Sequence, residues 1–214
     1  MPTLYQQWRT LWREVGGNVT GMDTCFDDLM SRYKGPRRFY HTLSHVEDML
    51  AEFETFRASD EFRIVDANVV EMGIWYHDAV YYPGAENNEE RSANLFRTVG
   101  ECSGFAPAFV QKVIIAILST KHAEHLNDAD VRTLCDLDLA ILGQPEERFD
   151  RYEKQIREEY TQVPDNQFRK GRTAILKLFL ARPSIYATKF FWNKYEDQAQ
   201  ENLKRSIRRL RNAA

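Results

Sequence analysis

The residues able to do metal or acid–base chemistry crowd into one part of the chain. All five histidines lie between His41 and His125, within 214 residues. His41 and His45 are four apart, a spacing that stacks them on one face if the segment is helical. His77 is followed directly by Asp78 inside the most apolar stretch of the chain. There an imidazole and a carboxylate without compensation would be costly to desolvate, and a divalent cation would neutralise one and accept the lone pair of the other. Asp138 lies in a second apolar stretch, Cys135-Asp136-Leu137-Asp138-Leu139-Ala140-Ile141-Leu142-Gly143, as a ligand held within a core would.

This set, His45, His77, Asp78 and Asp138, offers nitrogen and oxygen without thiolate. It suits one or two hard or borderline divalent ions (Mn, Fe, Co, Ni, Mg or Zn) with a coordination position left to water. Such a site lowers the pKa of water and polarises a phosphoryl oxygen. His122 is a candidate ligand to a second ion, with Asp78 bridging, or a contact to substrate phosphate; His125 is a weaker candidate. Arg38 and Lys121 adjoin ligand motifs and could pair with phosphate. The plainer alternatives are polar core residues satisfied by one another, solvated cations at helix ends, and a capping or packing role for His41.

Apolar spacing predicts that helices position these groups. Leu4, Trp8, Leu11, Trp12 and Val15 mark a first amphipathic helix, and Met22–Tyr33 a second. Ser44–Phe56 and Asp66–Tyr81 follow, the latter apolar on all sides and so placed in the middle of the fold. Asn87 with Glu90 reads as an N-cap with a capping box. Further helices are expected over Pro107–Ser119, from Asp128 or Asp130 to Leu142, and over Glu146–Tyr160, Asn166–Leu180 and Asp197–Leu210. No period-2 run or hairpin dipeptide appears, so the expected class is all-α. The expected organisation is one domain over 1–214, its core at about 22–143, with peripheral N-terminal helices and with C-terminal helices over 146–212 packed on it.

Composition narrows the class further. The chain is 43% hydrophobic and 29% charged, the balance of a globular protein, with net charge −3. That charge argues against broad nucleic-acid binding, and the basic final helix from Lys204 to Arg211 reads as favourable charge at a helix C-terminus. Cys25, Cys102 and Cys135 form no metal or disulfide pattern and suit a reducing compartment. No signal segment or bilayer-length apolar run is evident, so the expected address is the cytoplasm, with no membrane partner.

The series His45, His77-Asp78 and Asp138 resembles the H…HD…D signature of the HD-domain superfamily of metal-dependent phosphohydrolases. More closely, Arg38-x-Tyr40-His41-x-x-x-His45, Trp75-Tyr76-His77-Asp78-Ala79-Val80-Tyr81, Asn88-Glu89-x-x-Ser92-Ala93, Thr120-Lys121-His122 and Asp138-Leu139-Ala140-Ile141-Leu142-Gly143 are similar, in order, to a bacterial group described as predicted metal-dependent HD-superfamily phosphohydrolases. Ala199-x-x-Asn202-Leu203 fits the same group, so the resemblance spans nearly the whole chain. It implies an HD-like helical bundle, a divalent ion on His45, His77, Asp78 and Asp138, and a small phosphorylated substrate, with nucleotides among the candidates. The segment Tyr40-His41-x-x-x-His45-x-x-Asp48 is also similar to the first motif of cyclic-nucleotide phosphodiesterases, and by that motif His41 becomes a candidate general acid. The rest of the chain does not follow that branch. The Glu-Asp pair that alarmone hydrolases carry after the HD pair is replaced here by Ala79-Val80-Tyr81-Tyr82; Glu89, at the start of the next helix, is a candidate for orienting water.

The expected function is therefore a metal-dependent phosphohydrolase that attacks a phosphomonoester or nucleotide with metal-activated water. His41, Glu89, Lys121 and Arg38 are its candidate catalytic residues. Two alternatives are an HD-type di-iron oxygenase, which needs two extra histidines on separate segments where only His122 and His125 are available, and a non-catalytic nucleotide-sensing module.

Overall fold

The structure, a computed structural model, describes residues 2–61, 63–122 and 127–212. Among these residues there are ten α-helices and two short 3-10 segments, with no strand, so the chain is all-α. In order the helices are α1 (Leu4–Glu14), α2 (Met22–Tyr33), α3 (Leu43–Arg57), α4 (Ala67–Tyr76), α5 (Asn88–Ser103), α6 (Pro107–Ser119), α7 (Ala129–Leu139), α8 (Glu146–Glu159), α9 (Asp165–Leu180) and α10 (Lys189–Asn212). No described helix is long and apolar enough to cross a membrane. The chain divides into two compact units, residues 1–135 and 136–214. The division falls inside α7, short of the position 143 at which the sequence reading ends the core.

In the first unit α4 is the central element, as its all-round apolarity requires: Val69, Val70, Met72, Ile74, Trp75 and Tyr76 are all buried. Around Trp75 and Tyr76 gather Trp8 of α1 and Phe96 of α5, with ring centroids 5.0–6.2 Å apart. The indole N–H groups of Trp8 and Trp12 donate to the carbonyls of Met22 and Asn18 at 3.0 and 2.7 Å, which lets two large rings enter the core with their polar atoms satisfied. α1 begins with a reciprocal Thr3–Gln6 capping box.

At α4 the structure departs from the expected Asp66–Tyr81 helix, which stops at Tyr76. Partners from outside satisfy the backbone beyond it. Arg38 donates to the carbonyls of Asp78 and Ala79 at 2.9 and 3.2 Å. The Ser92 hydroxyl accepts from the Val80 N–H at 3.0 Å and donates to its carbonyl at 3.2 Å. The Asn88 amide bonds both the N–H and the carbonyl of Tyr82. With these bonds made elsewhere, the chain need not continue the helix to satisfy its polar groups. The expected Asn87–Glu90 capping box is absent: Asn87 is the N-cap of α5 but makes no side-chain cap bond, and Glu90 pairs with Lys121.

In the second unit α8, α9 and α10 enclose a polar network in which Arg172 donates to Glu153 and to Tyr152, and Ser206 donates to Glu153. The Asn202 amide donates to the carbonyls of Leu142 and Gln144 at 2.9 and 2.8 Å, fixing the 3-10 turn Ala140–Gly143. α10 starts at Lys189, well before the expected Asp197. Its missing start signal is remote: both carboxylate oxygens of Asp136 accept from the amides of Ala187 and Thr188 at 2.8 and 2.7 Å. The cations of α10 do more than offset its own dipole, since Arg205 and Arg209 both pair with Asp150 of α8.

Candidate metal centre

The first unit brings the two histidine motifs together. His45 sits in the first turn of α3 and is buried. His41 precedes that helix, so the pair does not stack along one helical face as the spacing predicts; the two rings stand at 82° with centroids 6.1 Å apart. The His41 ring instead stacks on Tyr81, 4.0 Å away. His77 and Asp78 lie on the turn that ends α4, where His77 is the C-cap. A terminating turn, unlike a helix interior, leaves both side chains aimed at the same place.

His77 has a determined tautomer. Its Nδ1 lies 3.0 Å from the Ile74 carbonyl, and since a carbonyl can only accept, Nδ1 carries the proton. That turns Nε2 toward His45 Nε2, 3.2 Å away, and toward Asp78 Oδ2, also 3.2 Å away. A neutral His77 thus presents a lone pair to a carboxylate oxygen, a contact that requires a cation, either a proton or a metal ion. The separation of 3.2 Å fits a hydrogen bond and equally fits two ligands of one ion. Two ligands each about 2.0–2.1 Å from one ion, at about 90–109° to each other, lie about 2.9–3.4 Å apart. A backbone carbonyl holding the other ring nitrogen is the usual way a metal-binding histidine is oriented.

Asp138 lies in the last turn of α7, past the division at position 135 and so in the second unit. Its helix, α7, is tied to the start of α4 by Asp130, whose carboxylate accepts from the amides of Val65 and Asp66 at 2.6 and 3.1 Å. Asp78 Oδ2 also faces His41 Nε2 at 3.9 Å, so His41 stands beside the cluster, partly open to solvent.

The other predicted residues take distinct places. Arg38 donates to the His41 carbonyl at 2.8 Å as well as to Asp78 and Ala79, and its guanidinium lies over the rings of Tyr33 and Tyr81. It is a clasp joining the two histidine motifs. Lys121 binds the Glu86 carbonyl and the Glu90 carboxylate at the start of α5. Glu89 is half-buried; burial holds its carboxyl above the usual range, the Asp78 charge adds to that, and its own backbone amide and Lys121 act against it. His122 is half-buried with φ 54, in the left-handed region. His125 lies outside the described residues.

Reading side chains for chemistry did not single out Tyr81, which packs on His41, or the roles of Asn88 and Ser92 in fixing the segment after Asp78. The last two were marked only by the family resemblance. Their signal, small polar residues four apart opening a helix, is shared with ordinary capping. Comparison with protein-family models, with curated proteins and with solved structures finds no match to this chain.

Proposed function

We propose that this protein is a metal-dependent phosphohydrolase of HD type, acting on a small phosphorylated substrate such as a nucleotide. The observation that carries the reading is His77 Nε2, aimed by the Ile74 carbonyl to within 3.2 Å of both His45 Nε2 and Asp78 Oδ2. His45, His77 and Asp78 would hold the ion, and the motif resemblance adds Asp138 to them. When bound, it supplies Lewis acidity at a phosphoryl oxygen and a lowered pKa for water.

The chain's own residues supply the rest. His41 Nε2, steadied by Tyr81 and by Asp78 Oδ2 at 3.9 Å, protonates the leaving oxygen. Glu89, raised by burial and by Asp78, accepts a proton from the attacking water. The choice of phosphorus as the reacting centre rests on the motif resemblance, which runs from Arg38 to Leu203.

The test is phosphate release from a panel of nucleotides and sugar phosphates, with Mn, Co, Ni, Mg or Zn added in turn. Turnover on at least one substrate is expected, with His41→Asn lowering kcat about 100-fold or more while the metal content stays that of the wild type. No phosphate release with any metal, or full activity in His41→Asn, contradicts the reading or the role of His41 respectively.

A further inference from the structure

We infer that a groove between α9 and α10 is a binding site for a small anion carrying two or more phosphate groups. The groove has a volume of about 430 Å³, and both of its helices belong to the second unit. Its residues on α9 recur at steps of three and four, so they share one face of that helix. Lys170 and Lys177 stand about two turns apart on this face. The small side chains of Thr173 and Ala174 between them leave the hollow, and Arg211 of α10 closes it from the other side.

Charge selects the ligand. Lys170, Lys177 and Arg211 give the groove three positive charges, Arg169 lines it as well, and none of the described residues lining it is acidic. The whole chain has the opposite balance, with net charge −3. Elsewhere in the unit cations meet carboxylates: Arg172 pairs with Glu153, and Arg205 and Arg209 pair with Asp150. The single acidic residue of α9, Asp165, is engaged by Arg157 of α8, and α10 has none after Glu201. A phosphate group carries about −1.5 to −2 near neutral pH, so two of them balance three or four cations where one does not. Lysine and arginine both donate charge-assisted hydrogen bonds to phosphate oxygens, and the Thr173 hydroxyl adds a neutral donor. The volume falls within the range of about 300–1,000 Å³ usual for small-ligand sites. No aromatic ring is among the described residues lining the groove, so it offers no platform on which the bases of a nucleic-acid strand could stack. What the groove recognises is the phosphates.

The experiment is a calorimetric titration of the full chain with pyrophosphate at about 0.15 M salt, with a chelator present so that no metal ion takes part. It compares the wild type with Lys177→Glu, Arg211→Glu and Lys154→Glu. All three positions are exposed, so the fold is not at stake, and Lys154 on α8 does not line the groove, so it reports the effect of net charge alone. The wild type is expected to bind. Each groove variant is expected to bind about 10-fold more weakly or worse, and Lys154→Glu to stay within about twofold of the wild type. His77→Ala is expected to bind as the wild type does, which separates this site from the metal centre. A second arm is sedimentation with phosphatidylcholine vesicles, with or without a phosphatidylinositol bisphosphate. Binding that requires the bisphosphate lipid and is lost in Lys177→Glu supports the site and assigns the phosphates to a lipid headgroup. Pyrophosphate binding without vesicle binding supports it and assigns them to a soluble ligand. A wild type that binds neither overturns the inference, as does an equal loss in Lys154→Glu. So does a single-stranded oligonucleotide that binds more tightly than pyrophosphate through Lys177 and Arg211. None of these results bears on the metal centre.

Discussion

Arg38 donates through one terminal nitrogen to the carbonyl of His41 and through the other to the carbonyl of Asp78, at 2.8 and 2.9 Å. One planar side chain thereby spaces the candidate acid from the candidate ligand. The adjoining rings of Tyr33 and Tyr81 hold that plane in place.

A lysine cannot bridge two carbonyls while stacking between two rings. Arg38→Lys should therefore lower stability by about 1–3 kcal/mol, measured by urea unfolding with an unchanged m-value. If Arg38 served as a phosphate contact alone, stability would stay within about 0.5 kcal/mol and only KM would rise.

Glu71 on α4 gives a pH dependence unrelated to the metal. Burial raises its carboxyl to about 7 from the usual 4.5, with Arg57 opposing the shift and Glu54 and Glu14 adding to it. The folded state thus binds this proton more tightly than the unfolded chain. The resulting stabilisation is complete below pH 4.5 and is lost as pH rises through about 7. Glu71→Gln should remove this slope and raise stability at pH 8 by on the order of 1–3 kcal/mol. Identical pH–stability curves for variant and wild type would show that Glu71 is ionised in the fold without cost.

Periodicity made most of the helices legible, because residues such as Trp8, Leu11 and Trp12 bury one face and leave no competing pattern. That His45 and His77 meet was legible because polar groups in apolar stretches need a reason to be there. What the sequence concealed depends on bonds between distant residues. The end of α4 at Tyr76 is set by Arg38, Asn88 and Ser92, and the start of α10 at Lys189 by Asp136. No local pattern around position 77 or 189 carries that information.

The most direct measurement is the metal content of the purified chain by mass spectrometry, after incubation with divalent metals and removal of unbound ion, for the wild type beside His77→Ala. The account predicts about one or two ions per wild-type chain and less than a tenth of that in the variant. A wild-type chain that retains no ion under any metal, with His45, His77 and Asp78 held together by protons alone, would contradict it.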